Sequence, residues 1–278
     1  MKTFVKIFCA ALALVLCAAC FAACGEGNSE NTTVDTGTSS SEESSTSDTT
    51  DASTPDGEKK ILKMGTNAEF PPYEYYEKEQ IVGIDVEIAA AIADKLGMEL
   101  VIEDMKFDSI VASVVSGGVD IGVAGMTVTP ERLESVNFSS SYATGIQSVI
   151  VKEGSAIKTL DDLNGKKIGV QLSTTGDIFA SEDYGEDNVI KYAKGADAVL
   201  ALVGGDVDAV IIDNAPAKVF VDANPGLTLL DTDYAIEEYA IAVAKDNTEL
   251  LDAINGALEE LIADGTIDKI IAKYITAE

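Results

Sequence analysis

Apolar positions in residues 60–275 follow two spacings, one typical of strands and one typical of helices. The first part of the chain predicts strands at 61–66, 99–103 and 119–124, a helix that follows Gly83 and stops at Gly97, and a helix at 108–116. In the first helix an apolar residue recurs every fourth position from Ile84 to Leu96, with Asp85 as the expected N-terminal cap and Gly97 as the stop. This alternation of strands and helices is typical of a parallel sheet with helices on its faces.

The second part of the chain repeats this order. It predicts strands at 147–152, 166–170, 188–193 and 207–212, and helices at 159–163, after Gly176 and at 196–203. Two more strands, at 227–230 and 239–244, and helices from Thr248 and Thr266 follow. The simplest packing returns the C-terminal helices to the first unit. We therefore expect two α/β lobes, with residues 59–146 and 242–278 in lobe 1 and residues 147–241 in lobe 2.

Residues 1–24 have the pattern of a secretory signal peptide, because two lysines precede an apolar run that ends in small residues. All four cysteines of the chain lie within this segment. The segment from Phe21 to Gly25 resembles the bacterial lipobox and predicts lipidation of Cys24, with Cys20 as the competing site. The alternative is a transmembrane anchor, which is disfavoured because a run of about 17 apolar residues is at the short limit for spanning a bilayer.

Residues 25–58 contain nine acidic residues, many serines and threonines, and no lysine. Such a segment cannot bury a core, so we expect a disordered acidic tether. By flexible-chain scaling its ends would lie on the order of 30 Å apart. The tether would therefore lift a folded domain away from a membrane.

Composition excludes several functions. The 278-residue chain carries a formal charge of −29, which argues against nucleic acid as a partner. It contains no histidine, so Ser-His-Asp catalysis, Cys-His catalysis and histidine metal sites are all excluded. No metal or other cofactor is expected.

Arg132 is the single arginine among 19 basic residues. A guanidinium pairs bidentately with a carboxylate, which a lysine cannot do, so its use at this position indicates a carboxylate receptor. The alternative is an ordinary surface pair with Glu131 or Glu134, which would contribute little.

Three stretches are expected at the carboxyl ends of strands, where open parallel sheets bind ligands. The first, residues 125–132, offers the guanidinium, an amide at Gly125 and a hydroxyl at Thr127. The second, residues 173–176, opens a helix whose free amides favour an anion. The third is Asp213, a carboxylate at the end of an apolar strand. Together they fit a zwitterion, with its carboxylate on Arg132 and its ammonium on Asp213.

Each of these features also has a purely structural interpretation. Asp213 is equally suited to cap the helix that follows it, and residues 173–175 form an ordinary N-cap. Phe70, Tyr73 and Phe107 would form an aromatic wall around a ligand or belong to the core. Only the coincidence of all these features favours a binding site.

The order of several motifs resembles the family of bacterial extracellular solute-binding proteins, family 3, which deliver polar amino acids to ABC importers. The resemblance covers residues 60–276. It is carried by Gly65-Thr66-Asn67-Ala68-Glu69-Phe70-Pro71-Pro72-Tyr73-Glu74-Tyr75, Gly83-Ile84-Asp85-Val86-Glu87, Phe107-Asp108, Ala124-Gly125-Met126-Thr127-Val128-Thr129-Pro130-Glu131-Arg132, Val136-Asn137-Phe138-Ser139, Tyr142 and Asp264-Gly265-Thr266. Ser141 departs from the proline that the family often has before Tyr142, which affects only the local loop shape.

The resemblance implies a two-lobe α/β fold of the periplasmic-binding-protein type II, with mainly parallel sheets flanked by helices and a two-stranded hinge. It implies that the lobes close on a free amino acid, held by Arg132 with Thr127 and Gly125, by Thr174 and Thr175, and by Asp213. Side-chain specificity would be set at Asn67, Phe70, Phe107 and Gln171. Because Asn67 is neutral, an amino acid ligand with a neutral polar side chain is favoured. Glu69 could still turn toward the side chain of a cationic ligand.

The implied protein is a lipid-anchored monomer on the outer face of the bacterial cell membrane that serves an ABC permease. One rival is a dehydratase-like enzyme on the same fold, with Glu69 as the general-acid candidate. A second rival is a ligand-sensing domain, which is disfavoured because no output module follows the predicted domain.

Overall fold

The structure is a computed structural model that describes residues 6–7 and 59–275. Cys20, Cys24 and the tether predicted at 25–58 lie outside the described residues. So does the predicted signal peptide, apart from a two-residue strand at Lys6–Ile7.

Strands and helices alternate along most of the described chain. The strands are β1 (Lys6–Ile7), β2 (Ile61–Thr66), β3 (Glu69–Phe70), β4 (Glu74–Glu77), β5 (Gln80–Val82), β6 (Glu99–Asp104), β7 (Ile121–Gly122), β8 (Val136–Phe138), β9 (Ala143–Lys152), β10 (Ile168–Gln171), β11 (Val189–Tyr192), β12 (Ala209–Asp213), β13 (Leu227–Leu229), β14 (Ala235–Tyr239) and β15 (Ala242–Ala244). The α-helices are α1 (Ile84–Leu96), α2 (Phe107–Ser116), α3 (Pro130–Ser135), α4 (Thr175–Tyr184), α5 (Gly195–Gly204), α6 (Asn214–Ala223), α7 (Thr248–Ala263) and α8 (Thr266–Tyr274). Short 3-10 helices lie at Leu160–Leu163 and Glu186–Asn188.

The first sheet has five strands in the order β6-β2-β7-β15-β8. β2 runs parallel to β6 and β7, whereas β15 is antiparallel to β7 and β8. Helices α1, α7 and α8 pack on one another, and their apolar faces share one core with β2. Ile84, Ile88 and Ile92, one turn apart on α1, are fully buried there. The last strand and the last two helices of the chain thus pack with the first unit.

The second sheet places β14, β9, β12, β10 and β11 side by side, with β13 also on β9 and β1 on β14. β10 is parallel to β11 and β12, and β9 is antiparallel to β12 and β14. Helices α4 and α5 pack against β10 and β12. The apolar residues of β10 and β12 are buried, which explains their uninterrupted apolar sequences.

The chain crosses between the sheets twice, once before β9 and once after β14. These two strands pair antiparallel, with Ala143 opposite Tyr239 and Gln147 opposite Ala235. The pairing continues beyond the strands, since the Tyr142 amide donates to the Tyr239 carbonyl at 3.0 Å and the Ser139 amide donates to the Ile241 carbonyl at 2.9 Å. Two adjacent segments therefore connect the two sheets, as a two-stranded hinge requires.

The structure differs from the expected elements in two respects. Both sheets are mixed, because β15 runs against the three parallel strands of the first sheet and β9 runs against those of the second. In addition, β14 lies in the segment expected to be an acidic loop between 230 and 239. Its residues alternate between buried and less buried, and one of the buried positions is Glu237. Because an acid occupies an inward position, the alternation of apolar and polar residues is interrupted, and the hydrophobic pattern does not predict this strand.

The expectation that Asp85 caps α1 is wrong. The cap position is Gly83, which has a φ of +135° and closely approaches the Tyr73 carbonyl, so the helix begins one residue before Asp85. The Asp85 carboxylate is buried and accepts from the Gly125 amide at 2.7 Å and from the Tyr142 hydroxyl at 2.9 Å.

Candidate functional site

A pocket between the two sheets brings together all ten residues that the sequence analysis singled out for the ligand. They are Asn67, Phe70, Phe107, Gly125, Thr127, Arg132, Gln171, Thr174, Thr175 and Asp213. Six more residues line it, namely Glu74, Ala124, Gln147, Ile211, Ile212 and Tyr239. Arg132 and Asp213, from different lobes, thus share one crevice.

The short helix α3 positions Arg132. Pro130 begins the helix, and the Thr129 hydroxyl accepts from the Arg132 amide at 3.2 Å, so the turn is fixed by its own cap. The side chain is only 9% exposed. Its Nη1 donates to the Thr127 carbonyl at 2.7 Å, and its Nη2 donates to the Ser173 carbonyl at 3.0 Å. This burial rules out the surface-pair interpretation.

The guanidinium also lies over the Phe107 ring, 5.3 Å from its centre. Burial lowers the pKa of Arg132 to about 10, which leaves it charged at neutral pH. Among the residues that line the pocket, Arg132 is the only base, so it is the natural partner for an anion there.

The start of α4 lies opposite Arg132. Thr174 is its N-cap, since its hydroxyl accepts from the Asp177 amide at 3.3 Å, and Thr175 begins the helix. The structural interpretation of Thr174 as a cap is therefore correct, and the residue lines the pocket as well. A ten-residue helix that begins at the pocket presents its partial positive charge to an anion.

Asp213 ends β12 and is buried. Its Oδ1 accepts from the Ala215 amide at 3.0 Å, which caps α6, and its Oδ2 accepts from the Ile146 amide at 3.0 Å and the Tyr239 hydroxyl at 2.6 Å. Burial raises the pKa of Asp213 to about 7. Asp213 therefore both caps α6 and lines the pocket.

Gly125 and Thr127 are placed as expected but bonded differently. The Gly125 amide donates to Asp85, so it is turned away from a ligand, and only the carbonyl remains for a ligand donor. The Thr127 hydroxyl donates to Glu237 at 3.1 Å. The expected contribution of a Gly125 amide to the anion site is therefore wrong for this arrangement.

The opposite end of the pocket is neutral and partly aromatic. The Asn67 side chain donates to the Met105 carbonyl at 3.0 Å and accepts from Gln171 Nε2 at 3.0 Å, which joins the two lobes. Phe70 stacks on Tyr73 with ring centres 5.6 Å apart and contributes to cores of both lobes, so both proposed roles of the aromatic wall apply to it.

Glu69 does not line this pocket. Its Oε1 forms an ion pair across the cleft with Lys194, the residue before α5. The pair is partly exposed.

Sequence reasoning missed the six additional residues of the pocket wall, and it also missed Glu237, which does not line the pocket but bonds three residues that do. Glu237 is 2% exposed and accepts from Thr127 and from Gln147 Nε2, both at 3.1 Å, and from the Thr175 hydroxyl. Burial raises its pKa. Its only sequence signal is the alternating pattern of β14, in which Glu237 shares a face with Ala235 and Tyr239.

Comparison with known proteins identifies the family of the chain and its fold. The model of the bacterial extracellular solute-binding proteins, family 3, matches residues 62–277, and the chain belongs to this family. The chain is 36% identical over 231 residues to the arginine-binding extracellular protein ArtP of Bacillus subtilis, a match that covers 80% of this chain and 88% of ArtP. It is 32% identical to the ABC transporter glutamine-binding protein GlnH of the same organism, with 97% of each chain covered.

A solved structure, of an ancestral arginine-binding protein bound to glutamine, superimposes with a TM-score of 0.74 at 42% identity. The match covers 78% of this chain and 98% of that one. These matches confirm the expected family and the two-lobe α/β fold.

No helix within the described part of the chain is both long and apolar enough to span a bilayer.

Proposed function

We propose that this protein captures a free polar amino acid between its lobes and delivers it to an ABC importer. The observation that carries the proposal is the shared pocket of Arg132 and Asp213, in which a buried cation and a buried carboxylate stand on different lobes. The relatives support this role, since they include an arginine-binding extracellular protein and an ABC transporter glutamine-binding protein.

The two charges define the orientation of the ligand. Its α-carboxylate lies against Arg132 and the first turn of α4, where the guanidinium and the helix dipole both favour an anion. Its α-ammonium lies against Asp213 and the Gly125 carbonyl. The ligand side chain then points toward Asn67, Phe70, Phe107 and Gln171.

The neutral amides of Asn67 and Gln171 favour a neutral polar side chain. Glu69, which would attract a cation, is already paired with Lys194. The same pairing leaves the enzyme alternative without its candidate acid in the pocket. Amino acids with an amide side chain are therefore the first ligands to test, with arginine next because of the relatives.

Closure follows from contacts to both lobes. A ligand that touches Arg132 and Asp213 together interacts more strongly with the closed form than with the open form, and only that difference can shift the equilibrium. The closed form then docks on the permease.

We further propose that Cys24 is lipidated and that the acidic tether holds the folded domain outside the cell membrane. Mass spectrometry of the mature protein tests this. A lipid on Cys24 that Cys24→Ala removes and Cys20→Ala leaves in place supports the site, whereas the opposite result moves it to Cys20.

Thermal-shift screening of the twenty amino acids tests the binding function, followed by calorimetric titration of those that stabilise the protein. We expect one or a few polar amino acids to bind with micromolar affinity, which corresponds to about −8 kcal/mol. If no amino acid raises the unfolding temperature or produces binding heat, the proposal is wrong.

A further inference from the structure

Two acidic side chains lie buried together on the lobe 1 side of the pocket. Glu74 begins β4 and Asp85 lies in the first turn of α1, and neither side chain is exposed. The Asp85 amide donates to the carbonyl of Tyr73 at 3.0 Å, which holds the two acids side by side. Each carboxyl group influences the pKa of the other. Glu74 also lines the pocket.

Two ionised carboxylates cannot hydrogen-bond to each other, because each can only accept. Both oxygens of Glu74, and Oδ1 of Asp85, have no donor among the described residues. Leaving three buried oxygens without partners costs free energy, all the more so if both acids carry charge. A single proton between the two acids supplies the missing donor.

The surroundings determine which acid keeps the proton. Asp85 Oδ2 accepts from the Gly125 amide and the Tyr142 hydroxyl, and its position in the first turn of α1 also favours a negative charge. Glu74 has no such donors and faces the charges of Asp85 and Asp213. Burial and these neighbours raise the pKa of Glu74 well above its usual range, whereas burial raises that of Asp85 only to about 6.

The other titratable groups around the pair do not reverse this assignment. They are the tyrosines Tyr73, Tyr142 and Tyr239, whose pKa values are all raised by burial, so they stay neutral.

We propose that Glu74 is a neutral carboxylic acid that donates to the Asp85 carboxylate, and that this acid pair is the positioning element behind the ligand's ammonium site. Asp85 holds the Gly125 amide, so the pair fixes the wall of the pocket at a residue with a φ of +52°. Asp85 also holds Tyr142, which directly precedes hinge strand β9. The pair therefore links the pocket wall to one of the two interlobe connections.

The positioning role rests on the proposed function, because it assumes that the pocket holds an amino acid, but the protonation state can be tested without a ligand. Glu74→Gln keeps a donor at every pH, whereas wild-type Glu74 must lose its proton as the pH rises. The folded-state pKa of Glu74 is raised, so its contribution to stability is full at low pH and is lost with increasing pH. We expect the unfolding temperature of Glu74→Gln, relative to wild type, to increase steadily between about pH 5 and pH 9. A difference that does not change with pH overturns the proposal.

Affinity for the amino acid found by screening tests the positioning role. We expect Glu74→Ala to weaken binding at least about tenfold through loss of the donor to Asp85, and Glu74→Gln to restore most of that loss. Equal losses in both variants would show that a charged Glu74 is needed, which contradicts the pair.

A variant that fails to fold does not remove the test. Wild-type protein with 13C-labelled glutamate carboxyls should show at least one glutamic acid still protonated at neutral pH, and the absence of any such signal overturns the proposal. If wild type binds no amino acid, the proposed function fails, while the pH series on the unliganded protein still decides whether the acid pair exists.

Discussion

Arg132 uses only part of its hydrogen-bonding capacity inside the protein. A guanidinium has five N–H donors, and the bonds to the Thr127 and Ser173 carbonyls occupy two of them. We expect Arg132→Lys to keep the fold but to weaken amino acid binding at least about 100-fold, because a lysine cannot both hold these carbonyls and pair bidentately with a carboxylate. Calorimetric titration measures the loss, and circular dichroism checks the fold. Near-normal affinity would show that Arg132 does not hold the ligand.

Asp213 should make amino acid binding depend on pH. Its pKa is about 7 without ligand, and a bound ammonium favours the ionised form. Affinity should therefore fall as the pH drops below about 7, by at most about tenfold per pH unit. Titrations between about pH 5 and pH 8 cover the window in which Asp85, with a pKa of about 6, also titrates.

The variant Asp213→Asn distinguishes the titration of Asp213 from that of Asp85. It should lower affinity about 100-fold, because the ammonium loses its charged partner, and it should remove the part of the pH dependence nearest to neutrality. An unchanged pH profile in this variant would assign the titration to another group.

Sequence reasoning was most informative for side chains whose chemistry is unusual in this chain. Arg132 stood out because it is the single arginine of the sequence, and Asp213 because a carboxylate ends an apolar strand. Glu237, Glu74 and Asp85 could not be identified in this way, since acids are abundant and their burial depends on contacts between distant segments. The short-range signal of Asp85 matches that of an ordinary helix cap.

The start of α1 depends on a glycine more than on a polar cap. A side chain at Gly83 would overlap the Tyr73 carbonyl, and the backbone there has a φ of +135°. We expect Gly83→Ala to reduce the free energy of unfolding by about 3 kcal/mol. Gly97→Ala, at the other end of the helix, is the matched control. It also has a positive φ but no atom within 4 Å of the added methyl group, so it should cost only about 1 kcal/mol.

Denaturant unfolding of both variants measures the difference between the two ends of α1. Similar losses at Gly83 and Gly97 would show that backbone conformation alone, rather than the contact with Tyr73, determines the cost.

At the level of elements, the helices were easier to predict than the strands. The first helix was predicted with its correct C-terminal end, because both the four-residue spacing and the glycine stop are local, whereas its N-cap was expected at Asp85 and lies at Gly83. The hinge strand β14 and the short helix α3 were not predicted. The inward face of β14 carries an acid whose partners come from three other segments, and α3 is too short for a helical period to appear.

Three of the contacts that cross the cleft join Arg132 to Ser173, Gln171 to Asn67 and Lys194 to Glu69. The last is partly exposed, so we expect Lys194→Met to speed amino acid release only about two- to fivefold, with a smaller effect in high salt. Stopped-flow dissociation measures this.

Lys95→Met is the matched control for the cleft pair. Lys95 bonds Glu260 at 2.8 Å on the surface of lobe 1, away from the cleft, so its loss should leave release unchanged. If both variants release the amino acid equally fast, the ion pair of Lys194 and Glu69 does not slow ligand release.

The separation of these contacts has an evolutionary consequence. Two of the three, at Arg132 and at Lys194, involve no residue from the neutral end of the pocket. Proteins that evolve from this chain could therefore change the amino acid they bind by substitution of Phe107 or Gln171, while the contacts at Arg132 and Lys194 that cross the cleft are retained.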